Sequence, residues 1–403
     1  MGKYEPLDLV EAAFIGHGSV GIYATVIFDG RIDVDRLADA VLRVGPVVPE
    51  TLCRIDVRRM RFLPIPAPDI VSEIPRHVET GFDWDPTTDT QVKILVGHGP
   101  VSDSMVVGMT HVVTDGIGLE QYVSLLEKAY NGNLTILNNV RSIDSILATV
   151  RIGEPTRGEL AAVKLSAQSL GLPDAGNERI CRRVTIPAGT MDSIHDKARK
   201  HGVTLNDVFM TACVRVVSRI LHLPFILLPC PVDLRPFGDV GPLTVANLSG
   251  LYMSSYAVGQ RDSFSETMGS VHREIAELRA RNRSMAAMAK FIPLCRMAPV
   301  WLARWMVRQD MMIPAIVYSN FGSLEPLQFG GTRAAAYYVT GGYRKNSQLG
   351  LSVSSYKGAT SFVHSLIGDE EGADAAEAVI RQIVQECESW LDPIDSCEAI
   401  GVR

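Results

Sequence analysis

The chain has 403 residues, 46% hydrophobic and 21% charged, with 34 Gly, 22 Pro and a formal net charge of −6. This is globular composition, long enough for two or three domains or one large one, and it excludes disordered, collagen-like and coiled-coil chains. A mildly acidic chain lacks the clustered Lys and Arg that bind phosphates, so no nucleic-acid partner is expected, and neither a P-loop nor a Rossmann fingerprint occurs.

In chain order, MGKYEPLDLVEAAF holds no basic stretch leading into a continuous apolar run, so no signal peptide is read there. Ile22 to Phe28 is a strand closed by Asp29-Gly30. Asp33 to Val44 places Val34, Leu37, Ala38, Val41 and Leu42 on one face of a helix. Gln91 to Val96 and Ser104 to Thr110 pair as strands across GHGPVSD, and Leu119 to Tyr130 is an amphipathic helix stopped by Asn131-Gly132. These make an N-terminal lobe over 1–150. Residues 151–178 read as a crossover, and 179–403 form a C-terminal lobe.

That second lobe opens with a strand, Arg182 to Ile186, and a helix, Thr190 to His201. A long helix follows, capped by Thr204 with Asp207 three residues on, its apolar stripe made by Leu205, Val208, Ala212, Val216 and Ile220. Strands are expected at Phe225 to Leu228, near 246–257, and at Ala315 to Tyr318, Arg333 to Val339, Leu349 to Ser355 and Thr360 to Ser365. Helices are expected at Ser263 to Asn282 and Ala373 to Leu391. The fold class is α/β: two lobes of mixed sheet packed with helices, with a cleft between them.

The apolar stretch Met285 to Val307 contains Lys290, Arg296, Arg304, Pro293 and Pro299, which makes it a poor membrane span. The seven cysteines (Cys53, Cys181, Cys213, Cys230, Cys295, Cys387 and Cys397) are scattered and form no CxxC. They read as reduced structural thiols in a cytoplasmic protein.

Chemistry concentrates at residues 104–118, SMVVGMTHVVTDGIG. His111 stands at a strand exit, Asp115 turns the chain back, and Gly116 frees the backbone for close approach. Imidazole is the side chain that exchanges a proton at neutral pH, and so the natural base for an alcohol or amine. By themselves these residues fit a core histidine followed by a helix N-cap equally well.

HxxxDG between a strand and a helix ending in YNG resembles the signature of the chloramphenicol-acetyltransferase-like superfamily. This group includes BAHD acyltransferases, condensation domains of nonribosomal peptide synthetases and mycobacterial polyketide-associated acyltransferases. PLDLVEAAF, IFDGRIDVDRLADAVLRV, HGVTLNDVFMTACVRVVSRI, PVDLRP, SNFG at 319–322 and YKGATSFVHS are similar to that group's segments and occur in its order. Two departures matter. Condensation domains usually carry two adjacent histidines, whereas Thr110 occupies the first position here. The BAHD DFGWG segment is reduced to Asn320-Phe321-Gly322.

The resemblance implies an active-site tunnel at the lobe interface and acyl transfer from a thioester to a hydroxyl or amine. It makes His111 the general base and has Asp115 pair with Arg235 to hold the loop in shape. Gly116 is implied to offer its N–H to the oxyanion, and Asn320 and Gly322 to line the substrate channel. It implies no resident cofactor and no metal. The co-substrate is acyl-CoA or a phosphopantetheine thioester on an acyl carrier protein, the acceptor is a small molecule, and the chain is expected to act as a monomer. The other histidines lack ligand spacing, and His17 reads as a loop residue. The Met- and Trp-rich segment 285–312 reads as core or as an acyl-pocket wall. RMRF at 59–62 and RARNR at 279–283 read as solvated faces or as a basic patch for a carrier protein. Two alternatives stay open: a condensation or cyclisation without acyl transfer, and a catalytically silent binding module of the same fold.

Overall fold

The computed structural model describes residues 4–15, 21–149, 170–173, 175–252, 254–280, 292–310, 315–345 and 347–392. His17, Cys397, part of RARNR, part of Met285–Val307 and most of the 151–178 crossover lie outside them.

The first half carries α1 (Pro6–Ala12), β1 (Gly21–Phe28), α2 (Val34–Val44), β2 (Cys53–Asp56), β3 (Arg61–Pro64), β4 (Val71–Ile74), β5 (Val92–His98), β6 (Asp103–Thr110), α3 (Gly116–Tyr130) and α4 (Asp144–Thr149). The second half begins with β7 (Glu178–Ile186), α5 (Ala188–Lys200), α6 (Leu205–Leu221), β8 (Phe225–Leu227), β9 (Cys230–Asp233), β10 (Ser249–Tyr252), β11 (Ser255–Ala257) and α7 (Phe264–Ala280). It continues with α8 (Val300–Asp310), β12 (Ile316–Ser323), β13 (Gln328–Phe329), β14 (Thr332–Thr340), β15 (Leu349–Tyr356), β16 (Ala359–Gly368) and α9 (Glu370–Ser389).

Two sheets organise the molecule. The first has strand order β13-β14-β1-β6-β5-β4 and the second β12-β15-β16-β7. β6 is an interior strand of the first sheet, and all eight of its residues are buried. This explains its near-continuous apolar run, because a strand covered on both faces needs no polar alternation. Met105, Val107 and Met109 join the core under α2 and α3, while Val106 joins an aromatic cluster with Tyr23 and Tyr343 on the opposite face. Asp103 pins the start of the strand, accepting from Arg31 at 2.7 Å and from the Ile32 N–H at 3.0 Å.

The second core gathers α5, α6, α7 and α9 around the other sheet, with Phe209, Phe362, Ile380 and Trp390 fully buried or nearly so. Thr204 and Asp207 form the expected capping box at the start of α6. Asp369 caps α9 through the Gly372 N–H at 2.9 Å, which starts that helix three residues before the expected Ala373.

Three details differ from the periodicity reading. α2 buries Leu37, Ala40, Val41 and Val44 and leaves Leu42 half exposed, so its inward face is rotated from the one expected. Ala303 and Val307 of α8 enter the first core, but Trp301 and Trp305 are 71% and 57% exposed, so these tryptophans are not core. β14 comes from the far side of the crossover, yet pairs antiparallel with β1 from Tyr23↔Thr340 to Phe28↔Ala334. Residues of the second half therefore complete the first sheet, and this strand exchange holds the two sheets side by side.

Candidate active site

β1 runs antiparallel to both of its neighbours, β6 and β14, with Gly21 opposite Thr110 and Tyr23 opposite Thr340. β6 and β14 consequently run the same way and end at the edge where β1 begins. His111 is the first residue beyond β6 at that edge, next to where the two sheets meet. Thr110, in the place of a possible second histidine, is buried and donates to Gln91 Oε1 at 2.7 Å. Gln91 Nε2 in turn donates to the Cys53 and Pro86 carbonyls. Thr110 therefore anchors the strand end and does not face the cleft as a reactive group.

The turn from His111 to Gly116 is fixed at three points. Asn247 Nδ2 donates to the His111 carbonyl at 3.3 Å. Arg141 donates to the Val113 carbonyl at 3.2 Å and, through Nη2, to Asp8 of α1 at 2.7 Å. Asp115 makes the third and strongest attachment. It caps α3 through the Gly118 N–H at 2.8 Å, which moves the helix start forward to Gly116. The same carboxylate accepts both Nη1 and Nη2 of Arg235 at 2.9 Å, and the Leu248 N–H at 2.8 Å. The two readings of Asp115, N-cap and arginine partner, are thus both realised by one side chain.

Arg235 is saturated. Beyond Asp115 it donates to Thr244 Oγ1, the Thr244 and Ala246 carbonyls, and Asp233. Burial opposes its charge, yet the Asp115 and Asp233 carboxylates hold its pKa above the ordinary arginine value. A planar guanidinium engaged at all three nitrogens fixes geometry as well as charge. It ties the His111 loop to residues 233–248, so the two halves of the chain share one rigid joint.

The close approach expected at Gly116 is made by Phe321, a partner the sequence did not reveal. A Cβ there would sit 2.1 Å from the Phe321 ring, and one on Gly118 would sit 2.2 Å from Thr114 Oγ1. Phe321 belongs to β12 of the second sheet, so the absence of a side chain at Gly116 lets that sheet approach the His111 loop. Asn320 and Gly322 flank Phe321 in an irregular stretch of β12. Gly322 has φ +74°, where glycine is favoured, and its N–H donates to Asn320 Oδ1 at 2.9 Å. Asn320 Nδ2 donates to Asn206 Oδ1 of α6 at 2.9 Å. The polar atoms of Asn320 are therefore engaged in shaping the turn that carries Phe321.

The imidazole of His111 has a side chain 28% exposed, with Glu11 Oε1 4.0 Å from Nδ1. Nδ1 is buried without a hydrogen bond, which leaves Nε2 as the nitrogen on the open side. Glu11, from the segment PLDLVEAAF, was not singled out in the sequence, since a carboxylate on an amphipathic helix carries no marker of its own. Nearby on α1, Asp8 is fully buried, and burial raises its pKa against the pull of Arg141. Glu5 is pushed up to about 7, first by burial and then by Asp8. The helix that delivers Glu11 is thus an acidic element seated on Arg141.

Among the described residues, no cluster of three or more His, Cys, Asp or Glu could hold a metal ion, and no helix is long and apolar enough to cross a membrane. Of RMRF, Met60 and Phe62 are core residues while Arg59 and Arg61 are exposed.

No family model and no curated protein matches this sequence. Solved structures do match. Polyketide synthase associated protein 5 from Mycobacterium tuberculosis superposes with a TM-score of 0.69 at 15% identity, over 97% of this chain and 99% of that one. A trichothecene 15-O-acetyltransferase from Fusarium sporotrichioides gives 0.65 at 10% identity, over 96% and 94%. The first condensation domain of the calcium-dependent antibiotic synthetase gives 0.62 at 14% identity, over 99% of both chains. The chain therefore has the two-lobed, chloramphenicol-acetyltransferase-like fold shared by condensation domains and stand-alone acyltransferases.

Proposed function

We propose that this protein is an acyltransferase that moves an acyl group from a thioester to a hydroxyl or amine, with His111 as general base. The observation that carries this reading is the state of His111. It stands at the strand edge beside the sheet junction, its loop is bolted by Arg235, Arg141 and Asn247, and Nε2 is left on the open side. A histidine that served only as core would be enclosed on all sides. The solved acyltransferase and condensation structures of the same fold support the reaction class.

The proposed step is as follows. His111 Nε2 takes the proton from the acceptor as its oxygen or nitrogen attacks the thioester carbonyl. The tetrahedral intermediate collapses, the C–S bond breaks, and the departing sulfur takes the proton back from the imidazolium as a free thiol. The thioester supplies the driving force, so no nucleotide is consumed. Gly116, at the N-terminus of α3, is proposed to present its N–H toward the developing oxyanion, where the positive end of the helix dipole adds to it. The donor is coenzyme A or a carrier protein's phosphopantetheine arm, bound in the space between the lobes near Asn320 and Gly322. The acceptor is a small molecule.

The test is incubation with a panel of acyl-CoAs and acceptors, read by thiol release and product mass. His111→Ala is expected to lower turnover by roughly 10²–10⁴-fold, the usual worth of a general base. Survival of turnover within about tenfold overturns the role. A product lacking the added acyl mass replaces transfer with cyclisation or another condensation.

A further inference from the structure

Arginine is expensive to bury, and three enclosed guanidiniums among the described residues are each matched by a carboxylate. Arg235 is saturated as described. Arg141 holds Asp8 and the Val113 carbonyl. Arg215 donates to Glu386, to Thr267 and to the Asp262 and Ser263 carbonyls. Arg344 differs from these three. It is partly buried, yet its side chain makes no hydrogen bond and no ion pair among the described residues. Burial draws its pKa below the ordinary arginine value, and the Glu11 carboxylate opposes this without reaching it as an ion pair. None of its nitrogens is sealed from solvent, so the guanidinium is open to a ligand that supplies the missing charge.

Its place in the fold says where that ligand lies. Arg344 follows β14 by four residues, at the same sheet edge where His111 follows β6. Only β1 separates these strands, so their ends stand two strand spacings apart, about 10 Å. Glu11 lies between the two in charge terms, 4.0 Å from His111 Nδ1 and felt by Arg344. The backbone under Arg344 is firm: its carbonyl accepts the Ile367 N–H at 3.1 Å, and the adjacent Tyr343 hydroxyl accepts the Gly81 N–H at 2.8 Å. A cation held on a fixed backbone beside the reacting position is pre-organised for recognition.

We infer that Arg344 binds an anionic group, a carboxylate or phosphate, carried by the acceptor within a few bonds of the hydroxyl or amine presented to His111. This rests on the acyltransferase reading above and narrows its acceptor class to acids such as hydroxy acids, amino acids or phosphorylated alcohols. A guanidinium fork engages either group with two parallel N–H···O bonds, whereas an ester or a neutral amide offers no charge.

The experiment measures binding without turnover, on the whole chain with no thioester present. Wild type, Arg344→Lys and Arg344→Gln are titrated with acetate, inorganic phosphate, a series of 3-hydroxy acids and the matching methyl esters. Coenzyme A and 4′-phosphopantetheine are titrated in parallel. Affinity is read by calorimetry and by the rise in unfolding temperature. The expected result is that some acids bind wild type at least tenfold more tightly than their esters, that Arg344→Gln abolishes the difference, and that Arg344→Lys restores part of it. Two outcomes overturn the proposal: no anion in the panel binds wild type more tightly than Arg344→Gln, or the loss falls only on coenzyme A and phosphopantetheine, which moves the anion to the donor. Because no acyl transfer is needed, a His111→Ala variant that keeps full activity sinks the acyltransferase reading while leaving the acid selectivity to stand or fall alone.

Discussion

Replacing Asp115 with Asn removes one charge and almost no volume, which makes it a sharp test of the joint between the two halves of the chain. The carboxylate accepts four hydrogen bonds: Gly118 N–H and Arg235 Nη2 on Oδ1, Leu248 N–H and Arg235 Nη1 on Oδ2. An amide has one acceptor oxygen. Whichever way it sits, its NH₂ faces two N–H donors, so two bonds are lost and donors are set against each other. The site is buried, with Asp115 and Arg235 4% and 9% exposed, so water cannot replace what is lost. Breaking one side of a buried, hydrogen-bonded ion pair costs about 3–5 kcal/mol. Unfolding entropy of about 2.1 cal/mol/K per residue gives a chain of this length roughly 0.8 kcal/mol/K if it melts as one unit. Asp115→Asn is then expected to lower Tm by roughly 4–6 °C, and by more if one lobe melts alone. Thermal unfolding followed by circular dichroism and by tryptophan fluorescence measures this directly. A midpoint within about 1 °C of wild type would refute the claim that this pair carries the joint.

Two further predictions concern packing and pH. Gly116→Ala places a methyl against the Phe321 ring and is expected to cost roughly 1–3 kcal/mol in urea unfolding. In a Phe321→Ala background the added cost should largely vanish, and an unchanged cost there excludes the ring as the cause. His364 is fully buried and its Nδ1 accepts the Gly350 N–H at 3.0 Å. Burial lowers its pKa to about 4 from 6.5. The folded state therefore favours the neutral ring. The stability this contributes is fully present above pH 6.5 and is lost as pH falls toward 4, where the unfolded chain binds the extra proton. The loss is roughly 3 kcal/mol over that window. Urea unfolding of wild type and His364→Gln at several pH values checks it, the variant being expected to lack this component of the acid slope.

Much of the fold was legible because its signals are local. β1, β5 and β6 showed as apolar runs closed by glycine turns. α6 showed in its capping box, and α9 in its apolar spacing. Boundaries slipped where a cap sat outside the apolar pattern: α3 starts at Gly116 and α9 at Glu370, because Asp115 and Asp369 take the first turn's free N–H groups. The short strands β2, β3 and β4 were not read, since four residues hold too little alternation to stand out. The inward face of α2 excludes Leu42, because spacing along a partly apolar helix does not fix which side meets its neighbour. At the site, His111, Asp115 and Gly116 were legible as a motif, and Arg235 entered by resemblance. Phe321 entered by the same resemblance, within SNFG, but its seat against Gly116 did not, and Glu11, Asn247 and Arg344 were not legible, because each acts only through what lies across from it.

The amino-acid order alone determined most helices and the longer strands, along with the position of His111 at the end of β6, since these depend on neighbours within a turn or a strand. Tertiary structure alone decided which distant groups meet. Arg235 reaches Asp115 across 120 residues, Phe321 fills the space above Gly116, and β14 returns to pair with β1. Those meetings follow from sheet pairing and close packing, which act between surfaces formed only after the chain has folded, so no local pattern encodes them.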